Sequence, residues 1–140
     1  MDPVELAQRF IEVDSVTEKS NAEIAELQAS LLVELGFEVE RLVHRDLHGV
    51  EKVLLATRRA GQNVTAKDKA TRGIGFACHN DVVSVDGWNS PHGGPFAATV
   101  AEGRLWGRGA CYMKGPTPAV LAAIAPLPAD DQQAPLARFP

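Results

Sequence analysis

Two cysteines, one tyrosine and no long apolar run are the first constraints set by this sequence of 140 residues. Cys78 and Cys111 form neither a disulfide framework nor a Cys-x-x-Cys pair, so they read as two reduced thiols acting as small apolar residues. Without a stretch of about 18 or more apolar residues there is no candidate membrane-spanning helix. The start, Met1-Asp2-Pro3-Val4-Glu5, is acidic where a secretory leader is basic, and no apolar segment follows, which predicts a cytoplasmic chain. The excess of acidic over basic charge is small too. Eighteen acidic and fourteen basic side chains leave a net charge of -4, too mild an imbalance for a nucleic-acid or anionic-membrane footprint. What is present, 45% hydrophobic and 23% charged residues, is the composition of a single soluble globular domain, with a small molecule as the expected partner.

Local signals divide the chain into helices and strands. Asp2, Pro3 and Glu5 supply an N-cap, a first-turn proline and an acidic first turn, predicting a short helix whose apolar face is Val4, Ala7, Phe10 and Ile11. Ser20 and Glu23 stand in capping-box spacing before a second helix with Ile24, Leu27, Leu31 and Leu35 on one stripe, ending at Gly36. Residues 37–43 and 50–57 read as strands, and residues 61–72, polar and without periodicity, as an exposed connection. Residues 73–78 are apolar on both faces, as a buried central parallel strand would be. A loop rich in Gly, Pro, Asn and Ser follows, then a hairpin over 99–106 turning at Glu102-Gly103. A last helix is expected from about Met113 to Ile124, with Pro116 and Pro118 in its first turn. Four prolines among residues 125–140 predict an irregular tail.

The strongest chemical signal is His79-Asn80-Asp81 at the carboxyl end of the expected buried strand. Side chains two apart on a strand share a face, and ligands collect at strand carboxyl ends in open α/β sheets. A neutral imidazole binds divalent metals, and a carboxylate on its second ring nitrogen fixes the tautomer, so His79 and Asp81 suit a metal ligand and its orienter. On its own the pattern more often marks a capped strand end with a satisfied histidine than a metal site. His44, His48 and His92 lie in polar or loop segments and read as solvated surface residues. A structural zinc set of Cys78, His79 and Cys111 is disfavoured because neighbours on a strand point to opposite faces. Gly107-Arg108-Gly109 with Met113-Lys114-Gly115 lacks the Gly-Lys-Ser/Thr order of a phosphate loop, so its glycines read as turn and close-packing residues. Trp88 and Trp106 read as packing residues flanking the loop.

The wider context comprises Asp81-Val82-Val83-Ser84-Val85-Asp86-Gly87-Trp88, then Gly94-Pro95-Phe96, then Gly107-Arg108-Gly109-Ala110-Cys111-Tyr112-Met113-Lys114-Gly115. In order and spacing it resembles the metallopeptidase family of acetylornithine deacetylase, succinyl-diaminopimelate desuccinylase, aminoacylase and glutamate carboxypeptidase. The resemblance is close over residues 73–123 and looser before them, and it leans to the acetylornithine deacetylase branch. It implies an α/β fold: part of a three-layer α/β/α catalytic domain with a mostly parallel central sheet, residues 1–140 being its amino-terminal segment. It implies a hydrolase that removes the acyl group of an N-acyl amino acid using two zinc ions, with cobalt or manganese as substitutes. By the same resemblance His79 matches a zinc ligand, Asp81 matches the catalytic-site aspartate that orients it, and full-length members form homodimers.

Two departures qualify this expectation. Tyr112 stands where the family has the aspartate that bridges both metals. A carboxylate offers two charged oxygens to ions roughly 3.5 to 4 Å apart, whereas a phenol offers one oxygen. Asp and Tyr codons differ by one base, so a chance point change accounts for Tyr112 as well as a selected substitution does. In the family the next strand carries paired glutamates, a general base and a ligand, and a lid domain follows. This chain ends at Ala137-Arg138-Phe139-Pro140, about where that strand is expected. The resulting expectations are a hydrolase segment inactive alone or, as the rival, a decayed non-catalytic relative acting as a binding module or not stably folded.

Overall fold

The computed structural model of the chain describes residues 1–59 and 75–126. The expected exposed connection at 61–72 and nearly all of the expected tail at 125–140 lie outside the described residues.

Helix α1, Pro3–Glu12, opens as its sequence predicts: the Asp2 carboxylate accepts the amides of Val4 at 2.7 Å and Glu5 at 3.1 Å, and Pro3 fills the first helical position. Its buried stripe is Leu6, Ala7, Phe10 and Ile11, while Val4, expected inside, is exposed at the edge of the stripe. Helix α2, Ala22–Glu34, buries Ile24, Ala25, Gln28, Ala29, Leu31 and Leu32 and stops at Gly36, whose φ of +79° is the left-handed conformation that ends helices. The expected capping box gives way to another arrangement. Ser20 accepts the Ala22 amide, and Asn21 takes the N-cap position with its side chain turned away to other partners.

Strands β1, Phe37–Arg45, and β2, Glu51–Arg59, form an antiparallel hairpin in register from Phe37↔Arg59 to Arg45↔Glu51. Asp46 closes its turn by accepting the amides of His48 at 2.8 Å and Val50 at 2.9 Å. Helix α2 packs on this hairpin, so that Phe37, Val39 and Leu55 join the core of Leu6, Phe10, Ile24, Leu31, Leu32 and Leu121. A second hairpin pairs β3, Thr99–Ala101, with β4, Arg104–Trp106. Its turn lies at the predicted Glu102-Gly103, and positive φ at both residues matches the twist that two-residue hairpins require. Helix α3, Pro116–Ile124, packs against α1 and starts three positions later than expected, because residues 110–115 coil in successive turns and Pro116 is the first residue placed to begin the helix.

The α/β class stands, and the sheet content differs from expectation. The described residues pair in two antiparallel hairpins, and parallel pairing is confined to the bridge Val16↔Val82. The described part of the expected buried strand, residues 75–78, has no ladder, and Phe76 is exposed. A central parallel strand needs partners along its length. Among the described residues this segment meets a neighbouring backbone only at its carboxyl end, where 15–17 runs beside 80–82. No helix of the described residues is long and apolar enough to cross a membrane.

Candidate functional site

The segment after Cys78 is held by the loop between α1 and α2. Ser15 is buried; its hydroxyl donates to the Asn80 carbonyl at 2.7 Å, and its carbonyl accepts the Val82 amide at 2.9 Å. The Thr17 amide donates to the Val82 carbonyl at 2.8 Å, and its hydroxyl donates to Asp81 Oδ2 at 2.7 Å. Asn21 ties in the hairpin. Its Oδ1 accepts the Val53 amide at 2.7 Å, while Nδ2 lies 2.9 Å from both the Val53 carbonyl and Asn80 Oδ1. These contacts give His79 and Asp81 a fixed backbone despite the missing ladder.

His79 Nδ1 faces two acceptors, the Asp81 carbonyl at 3.0 Å and Asp81 Oδ1 at 3.2 Å. Facing only acceptors, Nδ1 carries the proton, which leaves the lone pair of a neutral ring on Nε2. Partial burial pushes the Asp81 carboxyl up, but the Thr17 hydroxyl, its own amide and the facing imidazole outweigh that and hold it below the ordinary carboxylate value. The acid therefore stays ionised near neutral pH and can orient the ring.

The facing wall is the turn from Gly107 to Tyr112, and its glycines are there because other residues do not fit. A β-carbon on Gly107 would run into the Ile11 side chain, and one on Gly115 into the Ala110 carbonyl. Gly109 has φ +90°, and a β-carbon there would lie 2.9 Å from Val82 Cγ1 and 3.1 Å from Lys114 Cδ. Lys114 is 1% exposed and donates to the Val13 carbonyl at 2.6 Å, placing its ammonium at the negative carboxyl end of α1. Burial pushes its amino group down to about 8, against the opposing pull of the Asp14 carboxylate. The sequence reading gave this lysine no role. A single cation between Met113 and Gly115 carries no periodic signal of burial.

Beside this turn the Arg108 guanidinium lies over the Trp88 ring, 4.9 Å from its centroid, and Trp88 Nε1 donates to the Gly93 carbonyl at 3.0 Å. His92 departs from its expected solvated state. It is mostly buried against the Trp106 ring at a centroid distance of 4.5 Å, with Glu102 3.7 Å from Nε2, because the β3–β4 hairpin folds back over the loop that carries it. His44 and His48 are exposed, as expected.

Together the two walls enclose a cleft of about 450 Å³ lined by Thr17, His79, Asp81, Arg108, Cys111 and Tyr112 among others. All three residues singled out from the sequence, His79, Asp81 and Tyr112, meet here. The Tyr112 ring is tilted 57° to the imidazole at a centroid distance of 5.7 Å. Cys111 opens to solvent in the cleft instead of acting as buried filler, whereas Cys78 is half-buried with Gln28 Nε2 3.8 Å from its sulfur. The fit to a metal is partial. His79 presents a prepared nitrogen and Tyr112 a single phenol oxygen, and among the described residues no group of three His, Cys, Asp or Glu side chains is placed to hold an ion.

Comparison with known proteins places this arrangement in context. The model of peptidase family M20/M25/M40 matches residues 75–137, which include both cleft walls. Succinyl-diaminopimelate desuccinylase of Novosphingobium aromaticivorans is 39% identical over 132 residues, covering 93% of this chain and 32% of that protein. The enzymes of the same name from Sphingopyxis alaskensis, 39% identical over 132 residues, and Rhodospirillum rubrum, 39% over 127, cover 93% and 90% of this chain. The chain spans about a third of the length of these relatives, 32% of the first two and 29% of the third.

Proposed function

We propose that the chain, which matches the model of peptidase family M20/M25/M40 over residues 75–137, is the amino-terminal part of a metal-dependent amide hydrolase that removes the succinyl group from N-succinyl-diaminopimelate. The motifs alone lean to acetylornithine deacetylase. The desuccinylase relatives, aligned over most of the chain, favour the succinylated substrate. The observation that carries the reading is the His79 imidazole, with Nδ1 engaged by Asp81 and the ring opening on a cleft shared with Tyr112. In this reading His79 is a metal ligand, Asp81 orients it, and zinc, when bound, polarises the amide carbonyl. The described residues do not complete a catalytic zinc site, which takes about three protein ligands plus water, so further ligands come from elsewhere in the intact enzyme. A cytoplasmic location and homodimerisation of that enzyme belong to the same proposal.

The 140-residue chain with zinc is expected to hydrolyse neither N-succinyl-diaminopimelate nor N-acetylornithine. The positive test is a chimera in which this chain replaces the aligned 132 residues of the Novosphingobium enzyme. With Tyr112→Asp, the chimera is expected to prefer the succinylated substrate and to lose activity by a factor on the order of a thousand on His79→Ala. Preference for N-acetylornithine, or an active His79→Ala chimera, refutes the assignment. The phenol at 112 favours the rival non-catalytic reading for the natural chain; full turnover by the chimera that retains Tyr112 excludes that rival.

A further inference from the structure

One residue of the cleft wall carries a buried donor left unanswered among the described residues. Arg108 Nε is out of solvent and has no hydrogen-bond partner among the described residues. No ion pair among the described residues engages the guanidinium. Its plane is set by the Trp88 ring 4.9 Å away, and Trp88 is in turn anchored to the Gly93 carbonyl. The Arg108 amide is likewise tied, to the Pro95 carbonyl at 2.6 Å. The side chain is thus braced on the wall of the same cleft that His79 and Asp81 line. The carboxylate in that cleft, Asp81, is already engaged by Thr17 and His79.

A buried N–H without an acceptor costs stability, and native proteins keep few of them. A guanidinium fork is the side chain best shaped to take both oxygens of a carboxylate, and a fork already stacked on an aromatic ring loses little entropy in doing so. We infer that Arg108 is a substrate-binding residue that receives a carboxylate of the ligand entering the cleft from the His79 side. This rests on the hydrolase reading for the identity of the ligand. A succinylated amino acid carries the required group on both its acyl and its amino-acid portions. It adds to that reading a specificity element supplied by the chain's own glycine turn.

The test needs no catalysis. Titrating the 140-residue chain with succinate while following tryptophan emission should give a saturable change, because a carboxylate arriving at Arg108 alters the cation against Trp88. Succinamide, the uncharged analogue, should bind roughly tenfold or more weakly. Arg108→Gln should abolish the discrimination, and Arg108→Lys, which keeps the charge and loses the fork, should fall between them. In the chimera, Arg108→Gln should raise KM for the succinylated substrate with kcat little changed. Equal binding of succinate and succinamide by the unaltered chain, no saturable response to succinate, or unchanged succinate binding by a folded Arg108→Gln variant overturns the assignment. Failure of the hydrolase reading shows separately, as absence of turnover in the chimera with succinate discrimination intact.

Discussion

At Gly109 the absence of one carbon atom keeps the two walls of the cleft in contact. Its φ of +90° is one that L side chains rarely adopt, and its missing β-carbon leaves room for Val82 and for the stem of Lys114. Gly109→Ala is therefore expected to destabilise the protein on the order of 2 kcal/mol, from backbone strain and crowding together, as measured by urea unfolding. A neutral result would mean that the turn relaxes freely, and would undercut the close-packing account of the glycine motif. His79 and Asp81 show the opposite case. Their relation was readable from spacing alone, since it involves residues two apart joined by direct hydrogen bonds. Arg108 and Lys114 were not readable in this way, because each acquires its state from distant partners: Trp88 for the first, Val13 and Phe96 for the second.

Among the elements, the β1–β2 hairpin shows how a turn residue imposes pH dependence. The amide of Val50, offset in part by burial, then the amide of His48 and the nearby Lys52 ammonium hold the Asp46 carboxyl below its ordinary 3.8. A carboxyl depressed by folding contributes stability that is present above the ordinary value and is lost as pH falls through the lower folded value. Asp46→Asn keeps an acceptor for both amides and removes the titration. The unaltered chain should thus lose more stability than the Asn variant between about pH 6 and about pH 2, compared by urea midpoint. Equal losses would show that the turn carboxylate contributes nothing. Caps and turns such as Asp2, Gly36 and Glu102-Gly103 were legible because their chemistry is local. The start of α2 was misjudged because Asn21, free to cap in an isolated helix, is taken by Val53 and Asn80 instead.

For the molecule as a whole, that asparagine joins three parts of the chain: the α2 start, β2 and the His79 segment. Asn21→Ala removes all three of its hydrogen bonds, and it is expected to cost about 1 to 3 kcal/mol and to speed amide hydrogen exchange at Val53 well beyond that at Leu31 in the helix. Unchanged exchange at Val53 would remove Asn21 from the account of how the site is held. Sequence by itself determined the α/β class, the short-range elements, the family motifs and the pairing of His79 with Asp81, because each depends on residues within a few positions of one another. Only the tertiary structure decided which groups share the cleft, the burial of Lys114 and the unanswered donor of Arg108. Those depend on contacts between segments tens of residues apart, where a side chain's surroundings follow from packing and leave no periodic trace along the chain.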